Sequence, residues 1–453
     1  MAGYWNKELE TNKDALDKFQ KQSLHWTVRY AFDNAQFYHD TFKKLNLHPG
    51  DIQTFEDLRK LPIINKKTLR ANQNLDIGEF KLSAAPIENS TPYLTSGTAG
   101  APTIILRTDE EFHAINAGSS ATALHAMGIE KGDRVLNYLP FVEIPITIGG
   151  KHYTGKNISG EAAKYTIGLM GCSEVKPTDI NEKCAESALG LSTQLDRVGA
   201  KWLGEGKDPK NLGFKSMMVT GEPSSKSKKK YIADTFGTEV FDTHGSTEFL
   251  LGLFDCEHHQ GMHTNYHVHA EVVNPETKEN LSEGEEGHLI VTGLLPPGVR
   301  GGTVLLRYDI EDVTKKLGNG CECGRTLDSF DYTRRSSNEF VVGAVKFKSE
   351  EFEKTLCDFK DFKYITPEYQ IVVDFDERPE MRQDTLTVNL ERRKLVETPE
   401  KFDMILRDYI LKDHPFLNDT VDRGAVRFEV KLVDGLEQSR GKPKRLIDRR
   451  VKI

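Results

Sequence analysis

Between about residues 90 and 330 the chain alternates short β-rich runs with helical ones, and this pattern narrows the possible folds most. SMMVTGEP, SKSKKKYIADTFG and TEVFDTHG read in turn as strand, helix and strand, with turn residues between them. Such alternation builds an α/β domain with helices laid on a sheet. Ahead of it, Leu16, Phe19, Leu24, Val28, Phe32 and Phe37 recur at helical spacing within residues 10–45. Residues 55–72 read as a helix, a proline break and a second helix. Residues 275–279 suit a hairpin turn, with GHLIVTGL and TVLLRYDIE as strands after it.

Past about residue 335 the pattern changes. FVVGAVKF reads as strand, SEEFEKTLCDF as helix, YQIVVDF and DTLTVNLE as strands, EKFDMILRDYIL as helix and AVRFEVKLV as strand. That is a small α+β unit of its own, joined through the polar stretch 332–338. A chain of 453 residues is too long for one small core. The expectation is an α/β protein with a large domain over 1–333 and a small C-terminal domain over 334–453. The net charge of −8 gives no general attraction to nucleic acid or to an anionic membrane. No apolar run reaches transmembrane length, and MAGYWNKELE lacks the parts of a signal peptide, so a cytoplasmic location is expected. Six cysteines in such a chain read as thiols or metal ligands rather than disulfides.

One loop carries the first chemical signal. Thr95-Ser96-Gly97-Thr98-Ala99-Gly100-Ala101 sits ahead of the apolar run Ile104-Ile105-Leu106. Its glycines free backbone N–H groups, and its hydroxyls add donors, so it can close over a polyphosphate. Alone, an ordinary Gly/Ser/Thr turn would explain it. Further blocks follow in order: Gly221-Glu222-Pro223, His244-Gly245-Ser246-Thr247-Glu248, LLRYDIEDVT ending at Thr314, Cys321-Glu322-Cys323-Gly324 and Arg440-Gly441-Lys442.

This ordered set, with Tyr4-Trp5 and the run from His25 through Pro62, resembles the adenylate-forming superfamily, whose phosphate loop reads SGTTGxP. More narrowly it resembles the phenylacetate–CoA ligase-like branch, over almost the whole chain. The resemblance implies a large adenylation domain, a small mobile C-terminal lid, and activation of a carboxylic acid by ATP and Mg²⁺. The acyl group would then pass to CoA. An aryl or arylalkyl acid is one candidate. Thr95, Ser96, Gly97, Thr98 and Gly100 would embrace the β- and γ-phosphates. Thr247 would contact the α-phosphate, in the loop with His244, Gly245 and Ser246, and Glu248 would hold Mg²⁺, since a hard cation takes carboxylate oxygen. Gly221, Glu222 and Pro223 would lie against the adenine. Asp312 would accept both ribose hydroxyls, with Asp309 and Glu311 as plainer surface acids beside it. Arg334 or Arg335 would reach the ribose or phosphate from the linker. Lys442 would neutralise charge between the attacking carboxylate and the α-phosphate, with Lys444 as its rival.

The cysteines form a second constellation. Cys256, His263, Cys321 and Cys323 suit a tetrahedral Zn²⁺, a structural ion that several members of the branch carry, while His258 and His259 compete for the fourth place. Three free thiols in a His-rich region are the plain alternative. Gly150-Lys151-His152-Tyr153-Thr154-Gly155-Lys156-Asn157 nearly matches a P-loop, but Asn157 replaces the hydroxyl residue that Mg²⁺ needs.

Several positions depart from the family pattern. Ala101 stands where many relatives have lysine; Ser336, Ser337 and Asn338 follow the linker arginines where an Asp is usual. Residues 343–347 lack the usual Asn, and residues 137–144 replace the glycine-rich segment of the acyl pocket. These departures keep two alternatives open: an adenylyltransferase acting on a specialised cofactor, and a non-catalytic nucleotide- or acyl-binding protein. The partner expected is a small carboxylic acid, with neither nucleic acid nor membrane, and a homodimer stays open.

Overall fold

The computed structural model describes residues 4–95, 103–222, 224–318, 320–335, 339–342, 345–359, 364–375, 383–393, 397–439 and 442–450. By its contacts the chain divides into two units. The first holds 1–190, 213–221 and 241–333; the second holds 191–212, 222–240 and 334–453. The second unit therefore draws two stretches from before residue 333 as well as everything after it.

In the first unit, Asn6 and Asn12 start helices by accepting from the amides of Leu9 and Ala15. Helix Lys13–Asn34 then buries Leu24, Val28 and Ala31 in the largest core, together with Tyr38 and Phe42 of helix Gln36–Lys44. Strands Ser173–Val175, Arg134–Asn137, Ser187–Gly190 and Ser216–Thr220 lie side by side and run parallel. They are rich in Val, Leu, Met and Ala and are covered by helices Asp109–Ala126 and Ile158–Leu169. Beyond them the sheet turns antiparallel through Glu239–Ser246, Leu250–Asp255, Met262–Thr264 and Ser329–Phe330. A separate sheet orders Ile104–Arg107, Thr91–Leu94, Lys151–Lys156 and Glu143–Ile148.

One expectation changes here. TVLLRYDIE is not one strand: the strand begins at Tyr308, because Arg307 takes a left-handed φ of 52°. The Arg307 guanidinium is buried on Glu271 at 3.1 and 3.2 Å, and the preceding residues bond elsewhere, Val304 N donating to Leu82 O at 3.0 Å. The near-P-loop at 150–157 holds strand Lys151–Lys156, the second of a β-hairpin, and Asn157 caps the next helix through the Ser159 amide.

The second unit is built on the sheet order Val426–Val433, Asp384–Arg392, Ile365–Phe375, Leu446–Asp448. Helices Ser349–Asp358 and Phe402–Asp413 supply Phe352, Leu356, Leu406 and Ile410 to its core. Helices Ser192–Gly204 and Lys226–Phe236 belong to the same unit. They meet at Gly199, where a Cβ would lie 2.9 Å from the Thr235 methyl. Lys228, with no exposed side-chain surface, pairs with the equally buried Glu368, which Arg445 also reaches at 3.0 Å. Burial pushes the Glu368 carboxyl up, but Arg445 and Lys228 outweigh it and hold it below the ordinary value. Arg393 donates to the Tyr231 hydroxyl at 2.8 Å, and Glu353 accepts from the Ser225 amide at 3.0 Å.

Candidate active site and metal cluster

The expected phosphate loop joins two antiparallel strands, Thr91–Leu94 and Ile104–Arg107. Thr95 and Thr103 are buried at its neck, closed by Thr95 N donating to Thr103 O at 3.0 Å. Arg70 Nε braces the neck on the Thr103 hydroxyl at 3.0 Å. Ser96, Gly97, Thr98, Gly100 and Ala101 lie outside the described residues.

The 244–248 block forms the tip of the hairpin between Glu239–Ser246 and Leu250–Asp255, with a bulge between His244 and Gly245. Gly245 is required there, since a Cβ would fall 2.9 Å from Leu250 O. The bulge re-aims the side chains that follow. Ser246 Oγ accepts from the Glu248 amide at 3.1 Å, and the half-buried Glu248 carboxylate accepts from the Tyr308 hydroxyl at 3.3 Å. His244 Nε2 meets Asp312 Oδ2 at 2.6 Å, so two motifs 68 positions apart converge. Asp309 and Glu311 have other surroundings: Asp309 pairs with His288 Nδ1 at 3.1 Å, and the Glu311 side chain faces solvent. Strand Ser216–Thr220 reaches the same place, with the Thr220 hydroxyl donating to Thr243 O at 3.0 Å.

Gly221 turns with φ of 75°. Glu222 Oε1 then accepts from Ser192 Oγ and Thr193 N, both at 2.7 Å, capping helix Ser192–Gly204. Pro223 lies outside the described residues. Arg334 and Arg335 form a short strand, in which the Arg334 side chain is half-buried and that of Arg335 lies outside the described set. Lys442 begins the strand Lys442–Pro443, paired with Gln438–Ser439; its side chain is likewise outside the described set. Lys444 is tied to Glu437 in an ion pair at the surface.

The metal-type residues gather tightly. Ligand atoms of Cys256, His263, Cys321 and Cys323 all lie within 4.8 Å of one another. Cys256 and Cys321 sulfurs are 3.6 Å apart, and Cys323 Sγ is 3.3 Å from His263 Nε2. A tetrahedral zinc with ordinary Zn–S and Zn–N bonds needs ligand separations of about 3.5–3.8 Å. Hydrogen bonds from Cys256 and His263 hold the Cys323 thiol far below its usual value, whereas contact with Cys323 and burial push Cys256 up. The His263 Nδ1 side faces Leu327 O at 3.5 Å, which leaves Nε2 for the cluster. The rival histidines point elsewhere: His259 Nδ1 bonds Asp255 at 2.7 Å and His258 Nδ1 lies 3.6 Å from Glu322. The N-terminus braces the cluster: the Tyr4 hydroxyl donates to Cys323 O at 2.7 Å, and the buried Glu10 pairs with Arg325 at 2.9 Å.

With this geometry in view, no family model matches the chain. Curated relatives do. A phenylacetate–coenzyme A ligase of Aromatoleum evansii is 26% identical over 98% of this chain and 96% of its own. One from Escherichia coli is 25% identical over 84% of this chain and 86% of its own. Among solved structures, a 2-hydroxyisobutyryl-CoA ligase in complex with 2-HIB-AMP superposes with a TM-score of 0.77. It is 19% identical and matches over 99% of this chain and 92% of its own. The fold is that of the adenylate-forming ligases. Within it, the sequence resemblance runs to the phenylacetate–CoA ligase-like branch.

One pair of residues on this scaffold escaped the motif reading. Arg107 ends the strand that follows the expected phosphate loop, and its Nη2 donates to Thr247 O at 2.9 Å. Its Nη1 is ion-paired with Glu111, both side chains being almost wholly buried. The sequence shows a charge closing the apolar run Ile104-Ile105-Leu106 and an opposite charge at Glu111, but the turn from strand to helix that brings them together is visible only in the structure. Among the described residues no helix is long and apolar enough to cross a membrane.

Proposed function

We propose that the chain activates a carboxylic acid with ATP and passes the acyl group to CoA. The substrate's carboxylate oxygen attacks the α-phosphorus of ATP; the bond to the bridging oxygen breaks and pyrophosphate leaves. The CoA thiol then loses its proton, its sulfur attacks the carbonyl carbon of the acyl-adenylate, and AMP leaves. The observation that carries this reading is the convergence of His244 on Asp312 beside Glu248 and Tyr308. A hydrogen-bonded carboxylate in a fixed rotamer suits recognition of paired ribose hydroxyls. Near full-length similarity to phenylacetate–CoA ligases supports the overall reaction.

In this reading Thr95, Ser96, Gly97, Thr98 and Gly100 hold the outer phosphates, and Thr247 holds the α-phosphate. Gly221, Glu222 and Pro223 border the adenine, and Arg334 or Arg335 approaches the ribose. Lys442 balances the charge between the two reacting anions. Glu248 would hold Mg²⁺, which neutralises phosphate charge. The hydroxyl of Tyr308 keeps the Glu248 carboxylate oriented for that task. Cys256, His263, Cys321 and Cys323 would hold a zinc ion; four protein ligands close the coordination shell, so its role is structural. Residues 334–453 would act as the mobile lid that keeps water from a labile anhydride. None of the six cysteines is in a disulfide, which suits the cytoplasm.

The test is pyrophosphate release from ATP and Mg²⁺ across a panel of carboxylic acids, with and without CoA. Release that depends on one acid and rises with CoA, with thioester detected, is the expected result. Release indifferent to CoA would point instead to nucleotidyl transfer. No release with any acid, despite ATP binding, would leave a binding protein.

A further inference from the structure

We propose that Arg107, held by Glu111, is a positioning residue that fixes the Thr247–Glu248 tip against the strand leaving the phosphate loop. This rests on the reading of that tip as the nucleotide site. The tip itself has little internal support. It follows a bulge, its next strand opens at Leu250 with a left-handed φ of 62°, and Ser246 supplies a single hydroxyl acceptor inside it. Arg107 anchors it from outside, through the Thr247 carbonyl at 2.9 Å.

The arginine cannot swing, because its partner is fixed in turn. Glu111 lies in the first turn of helix Asp109–Ala126, whose cap, Thr108, accepts from the Glu111 amide at 3.1 Å. Its second carboxylate oxygen accepts from Gly302 N at 2.9 Å. Gly302 has no room for a side chain, since a Cβ would fall 2.1 Å from Leu106 O. The loop at 302, the helix and the exit strand are thus locked around one guanidinium. A buried ion pair is a poor source of stability, because desolvation offsets its attraction. Glu111 shows that cost: burial raises its carboxyl above the ordinary value even beside Arg107. A guanidinium can bond a carboxylate and a carbonyl at once in a rigid fork, whereas a lysine is a flexible point charge. Geometry, more than stability, therefore accounts for the pair.

The experiment uses the full chain with Arg107→Lys and, separately, Arg107→Met combined with Glu111→Gln. The double variant removes both charges but keeps an acceptor for Gly302 N, so it guards against a folding defect. Amide hydrogen exchange is followed for peptides covering 243–250 and, as a control, 426–433, beside thermal melting. Exchange at 243–250 should quicken about tenfold in both variants, the scale of one lost hydrogen bond to a charged donor, with 426–433 unchanged. The Mg²⁺ concentration for half-maximal pyrophosphate release should rise about tenfold while KM for the acid stays put. Wild-type exchange at 243–250 in a folded variant would overturn the inference. A wild-type chain that neither binds MgATP nor releases pyrophosphate would sink the functional reading instead, and the exchange result would still decide the role of Arg107.

Discussion

Strand Leu250–Asp255, whose ends lie ~17 Å apart by ordinary strand rise, has Thr247 and Glu248 just before one end and Cys256 just after the other. The two ends differ in kind. At the cysteine end, three sulfurs and an imidazole turn toward one another, and His259 and Tyr332 are drawn onto Asp255 beside them. At the other end the polar groups are held from behind: Arg107 grips a carbonyl, Tyr308 a carboxylate, and Asp312 takes His244. A cluster whose donors converge on one point can hold an ion for structure. A set of groups held on rigid supports but facing different ways suits an extended ligand. One hairpin thus joins a closed centre to an open one.

The largest break in this contrast should come from Cys323→Ser. Elemental analysis should fall from about one zinc per chain to none, and denaturant melts should lose about 4–5 kcal/mol, as expected for losing a structural metal. Full zinc retention would place the metal elsewhere, and a wild type without zinc would remove the metal from the reading. The open end should respond oppositely. Glu248→Gln should leave the melt alone and cut pyrophosphate release roughly 100-fold, as should Lys442→Ala. An active wild type whose adenylation survives both changes would refute these site assignments. A smaller effect is expected for Asp312→Asn, which keeps the shape but weakens acceptance from hydroxyls: KM for ATP should rise about tenfold with kcat little changed.

The smallest effect is a pH slope. His267, four residues past His263, is fully buried, and desolvation lowers its pKa from 6.5 to about 3. Unfolded, it takes up a proton near 6.5; folded, it does not until about 3. Stability is therefore present above pH 6.5 and is lost as pH falls toward 3, by up to about 1.4 kcal/mol per pH unit. Melts of wild type and His267→Asn between pH 7 and 5 should differ in slope. Parallel slopes would show that the histidine is hydrated in the native state.

Local chemistry made much of this legible. Rare residue types in glycine turns marked the cysteine quartet, and apolar periodicity marked the helices at 13–34 and 402–413 and most strands. What stayed hidden depends on distant partners. Setting His259 aside needed the position of Asp255, fixed by strand pairing, and setting His258 aside needed that of Glu322. The late start of strand Tyr308–Gly318 depends on Glu271, which holds Arg307 in an unusual backbone state. Helix Pro415–Asp422 was missed because its short stretch buries only Leu417 and Thr420, too few to show a period. Arg107 went unread as a tether because its target is a backbone carbonyl, which leaves no mark in a sequence.

The buried Lys228–Glu368–Arg445 cluster bears on how such enzymes can be recombined. A chimera cut at residue 333 would take Glu368 and Arg445 from one parent and Lys228 from the other. Unless the parents share that triad, a charge with no exposed surface would lose its counter-ion, a loss on the order of 3–5 kcal/mol. Exchanging 191–212 and 222–240 together with 334–453 keeps the cluster whole. The natural module for swapping is thus discontinuous in sequence.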